Sequence, residues 1–257
     1  MSILHYLENN ELSIAIDIDQ GARISSINFR GYELAVPFRG ETLTWGWYAM
    51  APWAGRIRDG LLSSPQGREF QLPTNFAPPH AIHGFGLTSS WEELGNGYFG
   101  IEFPEPYGGA RAEQRFELLD NALRWSIEYG ANDCDVPFWL GFHPWFPREL
   151  DRGSAAEIEF HPTSMFERGK DYLPTGTLIT PTSPPWDDAF TGVRGAPRVF
   201  WDDAVQIEIE SDAPYWVVYD QDPDGVCIEP QSAPPDAANL KIESENYLEA
   251  LFVFEEI

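Results

Sequence analysis

One glutamate near the end of the chain stands between apolar and proline residues, in the run Cys227-Ile228-Glu229-Pro230-Gln231. The preceding segment Asp222-Pro223-Asp224-Gly225 has the composition of a tight turn between two apolar runs, so the pattern predicts a hairpin whose second strand stops at Glu229. A carboxylate held there is partly removed from water, which raises its pKa and makes it a better proton acceptor than a surface glutamate. The alternative interpretation is a solvated glutamate at a strand end.

Two histidines and one arginine occur in similarly apolar surroundings. His143 lies within Gly141-Phe142-His143-Pro144-Trp145-Phe146, where aromatic neighbours would shield its ring from water, and His83 precedes glycines that allow close approach of backbone or ligand. Arg56 lies between apolar residues, where a guanidinium needs a carboxylate or a polar ligand as its partner. Each residue taken alone also fits a structural histidine or a structural salt bridge.

A carboxylate, two histidines, an arginine and the ten tryptophans together indicate an acid–base site for a sugar. The apolar faces of a sugar ring stack on indoles, while its hydroxyls take polar partners. Other chemistries lack their motifs. His80 and His83 are spaced so that they would point to opposite faces of a strand, unlike the ligands of a cupin-like metal site. The sequence has no GxSxG motif of a serine nucleophile, and no motif supports Cys134 as a nucleophile. Gly84-Phe85-Gly86 begins like the dinucleotide-binding motif GxGxxG but lacks its last glycine.

Composition narrows the class of protein and of partner. The chain has 257 residues, 43% of them hydrophobic, and carries a formal charge of −25 from 41 acidic and 16 basic residues. That charge repels nucleic acid and anionic membranes, so we expect neither as a partner, and it argues weakly against phosphorylated substrates. Cys134 and Cys227 are expected to be free thiols. We see no signal peptide and no apolar run of membrane-spanning length, and therefore expect a cytoplasmic protein.

Alternating apolar and polar residues recur along the chain, at 12–18, 123–129 and 205–210, and the apolar run 250–254 closes it. This period of two predicts half-buried strands, and no sustained helical period occurs. We therefore predict an all-β fold, a sandwich or a barrel, in a single domain spanning 1–257. The segment 181–197 is rich in Pro, Gly and Asp, and we predict that it is a long loop.

Five motifs resemble, in order, those of the aldose 1-epimerase (galactose mutarotase) family. The first is Ala51-Pro52-Trp53-Ala54-Gly55-Arg56-Ile57, which is similar to the family's N-P-Y-A-N-R-I motif. The second and third are His83-Gly84-Phe85, similar to the family's H-G motif, and His143-Pro144-Trp145-Phe146, similar to its H-P-Y-F motif. The last two are Asp187-Asp188-Ala189-Phe190, similar to the segment with the family's loop aspartate, and Cys227-Ile228-Glu229-Pro230-Gln231 with Pro234-Pro235-Asp236, similar to the segment with its catalytic glutamate.

The resemblance implies a large antiparallel β-sandwich, the galactose mutarotase-like supersandwich, with an open sugar cleft and neither cofactor nor metal. It implies that Glu229 is the base that takes the proton of the anomeric hydroxyl and that His143 is the acid that protonates the ring oxygen. Ring opening and reclosure would then interconvert the α and β anomers of a free aldohexose. The substrate-binding residues that it implies are Arg56, His83, Asp187, Gln231 and Trp145.

The motifs also depart from the family pattern. Gly55 replaces an asparagine, which predicts a wider cleft or a different sugar, and Trp53 and Trp145 replace tyrosines. Whether Asp187 or Asp188 faces the substrate is left open. The alternatives to a free-sugar epimerase are an epimerase for a sugar phosphate and a non-catalytic sugar-binding or regulatory protein. We expect a monomer or a homodimer.

Overall fold

The structure, a computed structural model, describes residues 3–131 and 134–257, and over these ranges it contains 23 strands and two short 3₁₀ helices. The strands are β1 Leu4–Glu8, β2 Leu12–Asp17, β3 Arg23–Phe29, β4 Tyr32–Glu33, β5 Trp47–Met50, β6 Arg56–Ile57, β7 Leu61–Ser63, β8 Glu69–Gln71, β9 Ala81–Ile82, β10 Glu92–Gly95, β11 Tyr98–Glu102, β12 Ala110–Leu119, β13 Ala122–Ala131, β14 Gly141–Pro147, β15 Glu157–Glu159, β16 Ser164–Arg168, β17 Pro174–Ile179, β18 Asp187–Thr191, β19 Arg198–Trp201, β20 Val205–Glu210, β21 Tyr215–Tyr219, β22 Gly225–Gln231 and β23 Tyr247–Glu256. The 3₁₀ helices are Ile18–Gln20 and Arg58–Gly60.

Two large antiparallel sheets account for most strands of the described chain. The larger sheet has the order β1-β2-β3-β5-β14-β22-β21-β18-β16-β17, with β4 added beside β3, and the smaller has the order β10-β11-β12-β13-β23-β20-β19-β15. Two further pairs, β6 with β9 and β7 with β8, lie outside these sheets. No helix in the two described ranges is long and apolar enough to cross a membrane.

The two large sheets face each other through aromatic side chains. Trp125 of β13 stacks on Phe142 of β14 with ring centroids 4.1 Å apart, and Trp47 of β5 lies 4.9 Å from Phe252 of β23. One contiguous apolar core therefore draws on both sheets, and the predicted all-β antiparallel sandwich is confirmed. That residues 1–257 form one domain stays a prediction.

Two expectations about local structure were wrong. The predicted loop at 181–197 contains β18, which pairs with β16 on one side and β21 on the other. Glu229 does not end its strand, because β22 continues to Gln231 and is buried along its whole length. The predicted hairpin itself is confirmed, since β21 and β22 pair antiparallel across the turn at 222–224.

The tryptophans belong mainly to the core. Five of them, Trp47, Trp53, Trp125, Trp139 and Trp201, are among the largest fully buried side chains. The expectation that exposed indoles line a sugar cleft was therefore wrong for these residues. Large indoles fill buried space efficiently, and three of these five donate their N–H to a backbone carbonyl: Trp47 to Trp145, Trp139 to Ala54 and Trp201 to Pro147.

Candidate active site

Five neighbouring strands of the larger sheet, β5, β14, β22, β21 and β18, carry the candidate site on the face that points away from the smaller sheet. In β14 the alternation of a strand directs Phe142 into the sandwich, and His143 and Trp145 to the opposite face. In β22 the same alternation places Glu229 and Gln231 on that face. Alternate residues of these strands therefore pack in the core, and the residues between them face the cleft.

The small pair β6 and β9 holds Arg56 and His83 over this face. Arg56 lies opposite Ile82 in the pairing, and His83 follows directly after β9. The His83 N–H donates to the Gly55 carbonyl (3.0 Å), and the Gly55 N–H donates to His83 Nδ1 (3.2 Å). Because Nδ1 is an acceptor, the proton of the neutral ring lies on Nε2, which makes Nε2 a donor. Burial lowers the pKa of His83 well below its ordinary value and keeps the ring neutral.

All seven residues predicted for the site line one cleft, whose volume is about 270 Å³. They are Arg56, His83, His143, Trp145, Asp187, Glu229 and Gln231. The structure thus brings together side chains from four strands and one loop that are far apart in the sequence. Convergence of polar groups in one concave site is typical of a small-molecule binding site.

At the bottom of the cleft, Glu229 and His143 form a buried pair. Glu229 Oε1 lies 3.3 Å from His143 Nε2, and both side chains are almost completely inaccessible to water. Gln231 lies two residues after Glu229 on the same face of β22, and its Nε2 donates to Glu229 Oε2 at 3.1 Å. These contacts fix the carboxyl group on both of its oxygens.

Burial moves the pKa values of this pair in opposite directions. The pKa of Glu229 is raised well above its ordinary value by desolvation and then by the negative charge of Asp187. The pKa of His143 is lowered to about 3, first by desolvation and then by the positive charges of Arg23 and Arg56. At neutral pH the pair therefore holds one proton, because two protons or none would leave a net charge in a buried site.

The ring of His143 is oriented by aromatic stacking. It lies between Tyr48, at 4.7 Å between ring centroids, and Trp145, at 5.4 Å, with interplanar angles of 26° and 18°. Within residues 3–131 and 134–257 its Nδ1 has no hydrogen-bond partner, so stacking and the Glu229 contact hold the ring. Trp145 Nε1 donates to the carbonyl of Leu43 at 2.7 Å, which fixes that indole in turn.

The positive charges of the cleft are already held by carboxylates. Arg56 Nη1 lies 3.8 Å from Asp187 Oδ2, and Arg168 contacts Asp187 Oδ2 at 3.3 Å and Asp188 Oδ1 at 3.4 Å. Asp187 contacts both arginines, whereas Asp188 contacts Arg168 and accepts the N–H of Asp187. Asp187 and Asp188 thus balance Arg56 and Arg168, so neither guanidinium is left unpaired for an anionic ligand.

Three buried side chains at the bottom of the cleft and beside it could hold a metal ion. Donor atoms of His143, Cys227 and Glu229 lie within 4.8 Å of one another. Burial raises the pKa of the Cys227 thiol well above its ordinary value, so the thiolate that a metal requires is disfavoured. That the protein uses neither metal nor cofactor stays a prediction.

The sequence did not single out Arg168 and Tyr172, which also line the cleft, or the buried Tyr48, which stacks on His143. Tyr48 lies directly opposite His143 in the pairing of β5 with β14. Strand alternation alone places Tyr48 and Arg168 on one of two faces, but the pairing register that decides which face lines a cleft depends on distant strands. Tyr172 lies between β16 and β17, where no alternation applies. No local signal identifies them.

Gly55 does not widen the cleft as we expected. Its φ is +68°, and a Cβ built on it would lie 2.6 Å from Cγ of Pro235. The proline ring therefore occupies the space that a side chain at position 55 would need, and Pro235 itself lines the cleft. Gly55 and Pro235 act as a complementary pair in this chain.

We predict that Gly55→Asn, which restores the residue of the family motif, destabilises the protein. Asn tolerates a positive φ, so overpacking against Pro235 dominates, at about 1–3 kcal/mol, or about 2–12 °C in Tm for a chain of this size. Gly55→Asn combined with Pro235→Ala should regain most of that loss. Gly195→Asn is the matched control, because Gly195 has φ +71° and open space around it; an equal loss in this variant would contradict the explanation.

Comparison with known proteins agrees with the fold. The sequence model of the family described as aldose 1-epimerase matches residues 4–246 of this chain. No curated protein matches the sequence significantly.

Solved structures resemble this one over its full length. A putative aldose 1-epimerase from Escherichia coli K12 has a TM-score of 0.83 and 20% sequence identity, covering 100% of both chains. A galactose mutarotase-like protein from Clostridium acetobutylicum has a TM-score of 0.80 and 15% identity, covering 98% of this chain and 95% of its own. A GalM/aldose epimerase homologue from C. elegans has a TM-score of 0.78 and 16% identity, covering 100% of both chains. The structural likeness establishes the shared sandwich fold, and on the family match across nearly all of its length this chain belongs to the aldose 1-epimerase family.

Proposed function

We propose that the protein interconverts the α and β anomers of a free aldohexose by acid–base ring opening and reclosure, without a cofactor. The observation that carries this proposal is the buried pair at the bottom of the cleft, in which Glu229 Oε1 and His143 Nε2 lie 3.3 Å apart. Two proton-transferring groups on one anomeric centre are sufficient for this reaction. Arg56, His83, Asp187 and Gln231 surround the pair with donors and acceptors for hydroxyl groups.

The proton count of the pair fits the reaction. In opening, Glu229 takes the proton of the anomeric hydroxyl, His143 gives a proton to the ring oxygen O5, and the C1–O5 bond breaks to give the aldehyde. Rotation about C1–C2 presents the other face of the aldehyde to O5. Closure then uses the two groups in the reverse sense, so His143 regains its proton and Glu229 returns the other to O1. The pair holds one proton before and after turnover, which is the state that burial favours.

The directions of the two pKa shifts favour the single proton on Glu229, whereas the roles predicted from the sequence require it on His143. The reaction balances in either case, because opening and closure use the acid and the base in opposite senses. Transfer across the 3.3 Å contact connects the two forms. We therefore assign the proton transfers to the pair and not to a fixed acid and a fixed base.

Two alternatives are less well supported. An epimerase for a sugar phosphate would need cationic groups free to take the phosphate, whereas Arg56 and Arg168 are held by Asp187 and Asp188. A sugar-binding protein without turnover has no need of a buried carboxyl in contact with a buried imidazole, because burial of two titratable groups lowers stability and such pairs cluster at catalytic sites.

Polarimetry tests the proposal directly. Freshly dissolved α-glucose and α-galactose should reach anomeric equilibrium faster with the protein than without it, with a rate proportional to protein concentration. One-dimensional NMR of the anomeric protons gives the same rate independently. Binding of either sugar without acceleration would instead support the non-catalytic sugar-binding protein, and acceleration confined to hexose phosphates would support the other alternative.

We further propose a cytoplasmic protein that is a monomer or a homodimer. Cys134 and Cys227 are both free, which is typical of a reducing compartment. The charge of −25 keeps nucleic acid and anionic membranes away from the surface.

We predict a flat pH dependence on the acid side of neutrality. The first additional proton would enter at His143, whose pKa is lowered to about 3, so the pair keeps its one-proton state as the pH falls below 7. The enzyme-dependent kcat/KM for glucose should therefore change by no more than about twofold between pH 7 and pH 5. Spontaneous epimerisation, measured at each pH, is subtracted. A decline with an apparent pKa near 6.5, the value of an ordinary histidine, would contradict this account.

A further inference from the structure

A groove crosses the outer face of the smaller sheet, on the opposite side of the sandwich from the candidate active site. Trp125 of β13 stacks on Phe142 of the larger sheet, so its neighbours Arg124 and Ser126 point away from the core. The groove that Arg124 and Ser126 line has a volume of about 820 Å³, and among residues 3–131 and 134–257 none lines both this groove and the cleft. A molecule bound in the groove therefore leaves the cleft open.

The floor of the groove is a row of side chains from four neighbouring strands. Tyr98 of β11 lies opposite Arg115 of β12, whose guanidinium is 3.7 Å from the Tyr98 ring centroid. Arg115 lies opposite Ser126 of β13, which lies opposite Glu249 of β23. Residues opposite each other in a sheet share a face, and three strand spacings of about 4.8 Å make the row about 14 Å long. The groove thus runs across the strands and has the length of several linked sugar rings.

Exposed tyrosine rings lie near both ends of this row. Edge strand β1 lies beside the start of β11, where the His5 ring contacts Asn96 Oδ1 at 3.2 Å, and its Tyr6 lines the groove with 66% of its surface exposed. At the other end Tyr247, two residues before Glu249 on the same face of β23, is 48% exposed, and its hydroxyl donates to Glu249 Oε2 at 2.6 Å. A phenol ring with an open face is a surface on which a sugar ring can stack.

The charges of the groove suit a neutral ligand. Its charged lining residues are Arg115, Arg124, Glu8, Glu117 and Glu249. Arg124 lies 2.6 Å from Glu117 and 3.8 Å from Glu249, so this guanidinium is already paired. An anion would meet three carboxylates, a basic peptide would meet two guanidinium groups, and a second copy of the chain would bring a further charge of −25. A ligand with many hydroxyl groups can instead accept from the guanidinium groups and donate to the carboxylates without adding charge.

We propose that this groove binds a linear neutral oligosaccharide at a site separate from the cleft. Tyr6 and Tyr247 stack on sugar rings near the two ends of the groove, and Arg115, Arg124 and Glu249 form hydrogen bonds with the hydroxyl groups between them. No covalent bond forms or breaks in this site. It attaches the protein to a sugar chain while the cleft on the other side of the sandwich stays free for a smaller molecule.

The test is calorimetric titration of the protein with the reduced hexasaccharides maltohexaitol, cellohexaitol, mannohexaitol and xylohexaitol. Reduction removes the anomeric hydroxyl, so none of them can be a substrate in the cleft. At least one should bind with a Kd below about 1 mM. Tyr247→Ala should weaken this binding by about 2- to 12-fold, as expected for the loss of one aromatic stacking contact, and Tyr247→Phe should keep it. Tyr172→Ala is the matched control, because Tyr172 is 63% exposed but lines the cleft.

Three results would overturn the inference. None of the four hexasaccharides binds, Tyr172→Ala weakens the binding and Tyr247→Ala does not, or a lysine pentapeptide binds more tightly than every hexasaccharide in a way that depends on Tyr247, which would assign the groove to a basic peptide. Glucose anomerisation by Tyr247→Ala should equal that of the wild-type protein, which shows that the variant is folded. The inference does not rest on the proposed function: hexasaccharide binding without epimerisation would remove that function alone, whereas epimerisation without such binding would remove the inference alone.

Discussion

Glu229→Gln lowers the enzyme-dependent rate of anomer interconversion by about 10²–10⁴-fold, the contribution expected of a positioned proton-transferring group. The amide replaces the protonated carboxyl at nearly equal volume and still accepts from Gln231 Nε2, which lies 3.1 Å from Glu229 Oε2. Packing and sugar binding should therefore persist while proton transfer stops. Polarimetry of α-glucose gives the rate, and circular dichroism with calorimetric sugar binding shows that the site is intact.

His143→Asn should cause a loss of similar size, and the double variant should lose little more than either single one. The two groups handle one proton in common, so removal of one leaves the other without its function. Losses that multiply in the double variant would show independent roles and contradict the shared-proton account. The control is Glu159→Gln, because Glu159 lies 3.2 Å from His161 in a second Glu–His pair, which is exposed; this change should leave the rate unaltered.

The strands that the sequence predicted well are those with long alternation. Residues 123–129 fall within β13 and residues 205–210 coincide with β20, because a strand buried on one face must alternate. Alternation did not predict β18 as a strand, because only Ala189 and Phe190 are apolar in it and the surrounding prolines are typical of a loop. Its strand conformation is imposed by pairing with β16 and β21, which lie on both sides of it.

The candidate site was predictable as a set of residues but not as a geometry. The motifs point to His143 and Glu229, and the structure places them on adjacent strands at 3.3 Å. That contact follows from the register of β14 against β22, where Trp145 lies opposite Cys227, and register between strands some 80 residues apart in sequence has no local signal. The catalytic and binding roles of these residues stay predictions until the variants are measured.

The space at Gly55 shows why a motif departure cannot be interpreted from one position. A missing side chain predicts a wider cleft only if nothing else moves into the space. Pro235, 180 positions later in the numbering, fills it. Protein interiors are close-packed and contain few voids, so another residue usually fills the space that a missing side chain leaves. This compensation is seen only when the positions of both residues in the structure are known.

Arg23→Met should destabilise the protein more than Gly55→Asn does. Arg23 is fully buried, and its guanidinium donates to the carbonyls of Gln20 (2.8 Å), Thr42 (3.1 Å), Trp45 (3.0 Å) and Leu87 (2.9 Å). Desolvation lowers its pKa to about 10, so the group is still charged at neutral pH. Methionine has no N–H groups and leaves buried carbonyls without donors, at a cost of about 3–5 kcal/mol.

In thermal unfolding at pH 7 this loss corresponds to a Tm lower by about 6–20 °C. The Arg23 guanidinium also lies 4.7 Å from the ring of Tyr48, which stacks on His143, so the variant should lose activity at temperatures where it is still folded. Arg30→Met is the control: Arg30 is exposed and pairs with Glu11 and Glu256 at the surface, where such pairs contribute about 1 kcal/mol or less. If Arg23→Met unfolded within 2 °C of Arg30→Met, the four hydrogen bonds of the buried guanidinium would not support the face of the sheet that carries the candidate site. The orientation of His143 would then depend on its aromatic neighbours and on its contact with Glu229.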